Sequence, residues 1–319
     1  MKVAFVGKGG SGKSTVAALF IRHLLAQNQN VLAVDADINQ HLAELIGASM
    51  DQTLALAKGT SPRRIRTHLA GTNQRIVDPA SMVKTTPPGT GSRLVRIDDK
   101  DEILSHFARK FSPHGYFMHV GTYDEDGIGT SCYHTSLAVL ENVLSHADTA
   151  DDEWIVTDMV AGTDAFAGAL YLMFDVIFIV VEPTPESIGV YQQFAKLADT
   201  GGVAERVVVV GNKVIDEDDK AYIKAATGDQ LVGMIAHSDT LRKQRQKGAP
   251  IDTIDEGTEV FMQQIMQQAR TQQLNKNEQL KRLHELHRHF ASQPFTIKKY
   301  GDLTGQIDES FKFADGAPR

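Results

Sequence analysis

A chain of 319 residues with 42% hydrophobic and 23% charged residues has room for one large α/β domain and an appendage. Its net charge of −7 offers no global attraction for nucleic acid, and its lone cysteine, Cys132, excludes a disulfide framework or an all-cysteine metal cage within one chain. No run approaches the roughly 20 apolar residues of a membrane span. The opening Met-Lys-Val-Ala-Phe-Val-Gly lacks the apolar run and cleavage site of a signal peptide, so a cytoplasmic protein is expected, with no nucleic-acid partner and no membrane role.

In chain order, apolar runs bounded by turn residues fall at residues 3–6, 31–34, 116–120, 154–156, 176–181, 207–210 and 231–236. Amphipathic stretches at 14–26, 136–145 and 187–197 alternate with them. Strands apolar on both faces, alternating with helices, predict a mostly parallel sheet covered by helices on both faces. Right-handed crossovers then gather the loops after the strands along one sheet edge, where ligands bind.

The first such loop is Gly7-Lys8-Gly9-Gly10-Ser11-Gly12-Lys13-Ser14, between a strand and a helix, the context a phosphate loop requires. Gly9, Gly10 and Gly12 let the backbone turn so that its N–H groups face phosphate oxygens, and the helix start adds its positive end. Lys13 is placed for the β- and γ-phosphates and Ser14 for Mg²⁺, with Ser11 and Thr15 completing the nucleotide-binding run. Lys8 has no function in a simple one-subunit loop; it suits a cation reaching across a subunit boundary, or else a surface lysine.

Two regions break the rhythm. Residues 51–115, an insertion, carry many basic residues and few strand-like runs, and read as a lid, a binding surface or a solvated excursion. Residues 255–319 follow the phosphate-loop unit of residues 1–254 as a helical extension and tail. Val260, Phe261, Ile265, Met266 and Ala269 repeat there at helical spacing, as do Leu280, Leu283 and Phe290, and residues 295–298 form a short strand candidate.

The run Lys8-Gly9-Gly10-Ser11-Gly12-Lys13-Ser14-Thr15 resembles the deviant phosphate loop of the MinD/ParA family of dimeric ATPases, which includes the nitrogenase iron protein. The resemblance implies a homodimer formed on ATP binding, with Lys8 contacting nucleotide in the partner subunit. Val34-Asp35-Ala36-Asp37 matches the first switch, in which Asp37 orders the attacking water and Asp35 supports it or the metal shell. Residues 155–162 match the second switch: Asp158 faces Mg²⁺ and Gly162 brings its N–H to the γ-phosphate. Gly211-Asn212-Lys213 and Val181-Glu182-Pro183-Thr184 are similar to the base-binding strand ends, implying nucleotide contacts from Asn212, Lys213, Glu182 and Pro183.

Within the family the chain is most similar to the CooC-type ATPases that mature carbon monoxide dehydrogenase, over residues 1 to about 250. That group carries a Cys-x-Cys pair binding metal at the dimer interface; here the pair is Cys132 and His134, whose mixed set from two subunits suits Zn²⁺ better than Ni²⁺. A degenerate motif without metal is the alternative. The reading is an Mg²⁺-dependent ATPase, cycling between ATP and ADP and acting as a maturation or metal-insertion accessory for a client, with a metalloenzyme as the candidate. A positioning or partitioning ATPase and a regulatory ATP switch stay open beside it.

Overall fold

The computed structural model describes residues 1–122 and 133–314. Its strands are β1 (Lys2–Gly7), β2 (Asn30–Ala36), β3 (Arg109–Ser112), β4 (Gly115–His119), β5 (Glu153–Met159), β6 (Val176–Val181), β7 (Val207–Val214) and β8 (Leu231–Ala236). They form one sheet of order β3-β4-β2-β5-β1-β6-β7-β8, parallel throughout except for the antiparallel pair β3 and β4. The seven apolar runs of residues 3–236 are all present as strands. The additional one, β3, is an edge strand whose Arg-Lys-Phe-Ser sequence is mostly half-exposed, so no apolar run announces it.

The central strands β1, β5 and β6 are buried along their whole length. On one face Val3, Phe5, Trp154, Val156, Phe178 and Val208 pack against α1 (Lys13–Ala26) and α2 (Leu42–Ile46). There Phe5 stacks on Phe178 at 5.2 Å between ring centroids, and Phe20 meets the Trp154 edge at 5.7 Å. Truncating any of these rings to alanine would cost about 3–5 kcal/mol, which keeps the loop that joins β1 to α1 on a stiff base.

On the other face Ala4, Val6, Ile155, Ile177 and Val209 share a core with α3 (Ser61–Ala70), α4 (Glu102–Phe107), α5 (Tyr133–Ser145), α6 (Leu170–Met173), α7 (Pro185–Thr200) and α8 (Glu217–Thr227). Caps start several of these helices: the Thr184 hydroxyl accepts from Ser187 N–H, and Asp216 and Asp101 do the same for α8 and α4.

Residues 51–115 are not a solvated excursion. Leu56, Ile65, Leu69, Met82, Val95, Ile97, Ile103, Leu104 and Phe107 are all buried in that second core. Their spacing is irregular because two separate helices, α3 and α4, and non-helical stretches before and between them deliver these residues, rather than one long periodic element. The basic residues lie around this apolar interior.

The remaining helices are α9 (Asp239–Gln246), α10 (Glu256–Thr271), α11 (Lys276–Ala291) and α12 (Pro294–Tyr300). The expected stripe of α10 is buried at Phe261, Ile265, Met266 and Ala269 against α1 and β8, whereas Val260 is 55% exposed. Residues 295–298 form no strand. They lie in α12, whose Pro294 in the first turn presets helical φ and needs no hydrogen-bond donor there. After α12 the chain returns to the insertion, where Thr86 Oγ1 donates to Gln306 Oε1 at 2.8 Å and Thr90 N–H to Asp308 Oδ2 at 2.9 Å. Among the described residues no helix is long and apolar enough to cross a membrane.

Candidate nucleotide site

The carboxyl ends of β1, β2, β5, β6 and β7 meet at one edge of the sheet, and the sequence-predicted residues gather in the segments that follow them. In the loop after β1, Ser11 N–H turns back to Lys8 O at 3.1 Å, and α1 starts at Lys13 behind Gly12, whose φ is 93°. A Cβ on Gly12 would collide with Nδ2 of Asn212, which donates to Ser11 O at 2.8 Å. Asn212 therefore buttresses the loop from below. Its neighbour Lys213, held at φ 60°, sends Nζ to the Gly10 carbonyl and pairs with Glu182 Oε2 at 3.0 Å.

Glu182 also holds Lys8, at 3.2 Å from Oε1. Burial alone would raise its carboxyl, but Lys213 and Lys8 outweigh it and leave Glu182 below the usual glutamate range. One carboxylate thus restrains the two lysines that flank the loop.

Three aspartates divide the work at the ends of β2 and β5. Asp35 spends both oxygens on backbone: Oδ1 accepts from Asp37 N–H at 3.1 Å and Oδ2 from Leu42 N–H at 3.0 Å. It shapes the turn into α2 and does not face the loop's interior. Its pKa is raised well above the ordinary value by burial and the neighbouring Asp158, against the pull of those two N–H groups. Asp37 does face the loop: its Oδ2 meets Lys13 Nζ at 2.5 Å, while Oδ1 accepts from Asn39 N–H and Nδ2, both at 3.0 Å. Asp158 is wholly buried, and neither oxygen has a hydrogen-bond partner. Burial pushes it up to about 7, opposed chiefly by the Lys13 charge, with the Ser14 hydroxyl close by. Two orphaned carboxylate oxygens beside a serine hydroxyl are a hard oxygen donor set, of the kind Mg²⁺ takes. Beyond β5, Gly162 at φ 87° donates its N–H to Gly7 O at 3.0 Å, tying this segment to the loop.

Beside the loop opens a cavity of about 580 Å³, lined in part by Gly12, Thr15, Asn212, Lys213, His237 and Arg245. Glu182 and Pro183 do not line it; Glu182 is turned to the lysines instead. Residues of α9 and of the turn before it, Arg245 and His237 among them, were not expected from the sequence. The available signal was their place after the last parallel strand, at the same sheet edge. Asn39, which fixes the Asp37 carboxylate, was likewise missed. Cys132 lies outside the described residues, as does the side chain of His134. Among the described residues no cluster of three or more His, Cys, Asp or Glu side chains could hold a metal ion.

A glycine-rich loop between the first strand and helix, with a lysine inside it and a buried carboxylate at a neighbouring strand end, is the site of a P-loop ATPase. The chain belongs to the CobQ/CobB/MinD/ParA nucleotide-binding domain family, whose model matches residues 3–251. It is 28% identical over 256 residues to an uncharacterised ATP-binding protein of Methanocaldococcus jannaschii, covering 79% of this chain and 91% of that one. It is also 28% identical over 257 residues to the carbon monoxide dehydrogenase accessory protein CooC of Rhodospirillum rubrum, covering 78% and 88% respectively. Among solved structures, a ParA family ATPase of Chlorobium tepidum matches with a TM-score of 0.56 at 18% identity, covering 84% of this chain and 98% of that one. The cell division ATPase MinD of Pyrococcus furiosus matches at 0.55 and 17%, with the same coverage. These two likenesses speak for the fold.

Proposed function

We propose that this ATPase is an Mg²⁺-dependent, nucleotide-driven dimeric switch that serves as an accessory factor in the maturation of a client metalloenzyme. The observation carrying the accessory role is the likeness to CooC, which extends across 88% of that protein. Lys13 and the loop's N–H groups bind the phosphates, Ser14 and Asp158 hold the metal, and the cavity beside Asn212 takes the nucleoside. Mg²⁺, when bound, offsets charge on the phosphate oxygens. Asp37 orients the attacking water once phosphate has taken Lys13 from it, and the closed loop limits other water from reaching the bond. Gly162 follows the γ-phosphate.

Lys8, held at the loop's edge by Glu182, crosses to the partner's nucleotide in the ATP-bound homodimer. Cys132 and His134 from two subunits bind Zn²⁺ at that interface. In this reading residues 1–254 are the ATPase unit and 255–319 its extension. The deciding experiment is sedimentation of the Asp37→Ala protein with and without Mg-ATP, followed by zinc titration of parent and Cys132→Ser. An ATP-dependent dimer binding about one zinc per dimer, lost in Cys132→Ser, is expected. A protein that stays monomeric with ATP at high concentration overturns the dimeric switch, and equal zinc content in both proteins overturns the metal site.

A further inference from the structure

The segment that leaves Asp158 runs through Gly162 to a 3₁₀ turn at Asp164–Ala167, and a side chain from the insertion meets its end. Lys84 Nζ donates to the carbonyl of Ala167 at 2.8 Å and lies 5.4 Å from the centroid of the Phe290 ring on α11. We propose that Lys84 is a positioning residue for ATP hydrolysis: it braces the segment carrying Asp158 and Gly162 against the C-terminal helix α11.

The mount of this brace is stiff on every side. Thr85, Thr86, His287 and Gln306 are each no more than 4% exposed. Val83 O accepts from Asn142 Nδ2 of α5 at 2.7 Å, and Thr86 Oγ1 donates to Gln306 Oε1. His287 Nε2 lies 3.0 Å from Leu303 O and therefore carries the proton, leaving Nδ1 to accept from the Thr85 hydroxyl at 2.9 Å. Residues on both sides of Lys84 are thus locked to α5, α11 and the tail, while its own side chain reaches the segment after β5. The far end of that segment is held as well, by Ala169 N–H donating to Glu141 of α5. Between these anchors and the Gly162–Gly7 contact, Ala165 is buried in the core and the Phe166 ring meets Phe194 of α7 at 4.8 Å, so apolar packing and a few polar bonds together set the path of residues 158 to 169. The Lys84 bond is solvent-exposed, yet it places a charged donor on a carbonyl with its ammonium also over a ring, which makes it stronger than a neutral exposed contact. The insertion and the C-terminal extension thereby act together, each supplying one side of the brace.

The inference rests on reading residues 158–162 as the phosphate-facing segment, and the experiment separates the two. Steady-state ATPase kinetics and ATP binding by calorimetry are measured on the full chain for the parent, Lys84→Met, Lys84→Arg and Lys13→Ala. Lys84→Met should lower kcat about fivefold to tenfold, the loss of one charge-assisted bond, with KM and ATP affinity within about twofold. Lys84→Arg, which keeps a charge, a donor and the ring contact, should recover kcat to within about twofold of the parent. An unchanged kcat in Lys84→Met overturns the brace, as does a fall that Lys84→Arg does not rescue. Tight ATP binding by Lys13→Ala would instead overturn the site reading on which the brace depends.

Discussion

Lys13 and Asp37 are bound to each other across 2.5 Å, with side chains only 9% and 4% exposed. The cation proposed for phosphate is therefore already neutralised, and by the carboxylate proposed to orient water. In that proposal nucleotide must displace Asp37 from Lys13, so phosphate binding and the release of the turn after β2 become one event. Asp37→Asn should tighten ATP binding by up to about tenfold, since it removes the competitor. It should also lower turnover by about 10²-fold or more. Calorimetry beside a phosphate-release assay reads both; weaker binding in Asp37→Asn would contradict the exchange. Lys13→Ala should bind ATP too weakly to titrate, because it leaves the phosphates without their buried cation.

Glu182 restrains Lys8 and Lys213 together, at 3.2 Å and 3.0 Å. If Lys8 acts across a dimer, this contact must open first. Glu182→Gln should then raise the fraction of ATP-dependent dimer at a given concentration, whereas Lys8→Ala should lower it and slow hydrolysis. Both pairs are partly exposed, so the shift should be modest, about threefold to fivefold in the dimerisation constant. Sedimentation velocity over a concentration series decides this. Equal dimer fractions for the parent and Glu182→Gln would remove the restraint from the account.

The parallel sheet and the phosphate loop were legible because both are written locally. Val176–Val181 is an unbroken apolar strand, and the spacing of Gly7, Gly12 and Lys13 fixes a backbone shape by itself. The partners of those residues were not legible, because they come from distant segments. Glu182 looked like part of a base-contacting loop, yet its strand end lies beside Gly7 and Lys8, which turns its carboxylate to the lysines. Asp35 and Asp37 are the same residue type two positions apart, and only the fold shows that one bonds the turn's backbone while the other faces Lys13. The insertion hid its structure for a related reason. Leu56, Met82, Val95 and Phe107 reach the core from separate short segments, Val95 from an isolated bridge and Phe107 from the end of α4, so no period emerges along the chain.

Gly12 tests the loop without touching any charge. Its φ of 93° is strained for any residue with a Cβ, at about 1–2 kcal/mol, and the added methyl would also strike Asn212 Nδ2. Gly12→Ala should lose most ATP affinity while the fold, measured by far-UV circular dichroism, stays intact. Pairing it with Asn212→Ala, which clears the collision, should recover part of the binding. Because Asn212→Ala also removes the bond to Ser11 O, the double variant is read against the Asn212→Ala single variant: if Gly12→Ala costs as much affinity on that background as in the parent, the collision plays no part in the loss.

His146 carries a pH dependence that can be signed. The ring is fully buried; Nδ1 lies 2.9 Å from Asn142 O, to which it donates, and Nε2 has no partner. Burial lowers its pKa from 6.5 to about 4, with the Asn142 contact working the other way. The unfolded chain therefore takes up a proton at a higher pH than the folded one does. The stabilising contribution is fully present above pH about 6.5 and is lost as pH falls from there to about 4, amounting to roughly 3 kcal/mol over that span. His146→Gln keeps an N–H donor for Asn142 and does not titrate. Urea unfolding of both proteins between pH 7.5 and pH 4 should show the variant less stable at the upper end and the gap narrowing by roughly 3 kcal/mol toward the lower. Carboxylates titrate alike in the two proteins and cancel in the difference. Stability curves that run parallel across this range would show that the folded His146 takes up its proton at about the same pH as the unfolded one, as it would if water reached Nε2.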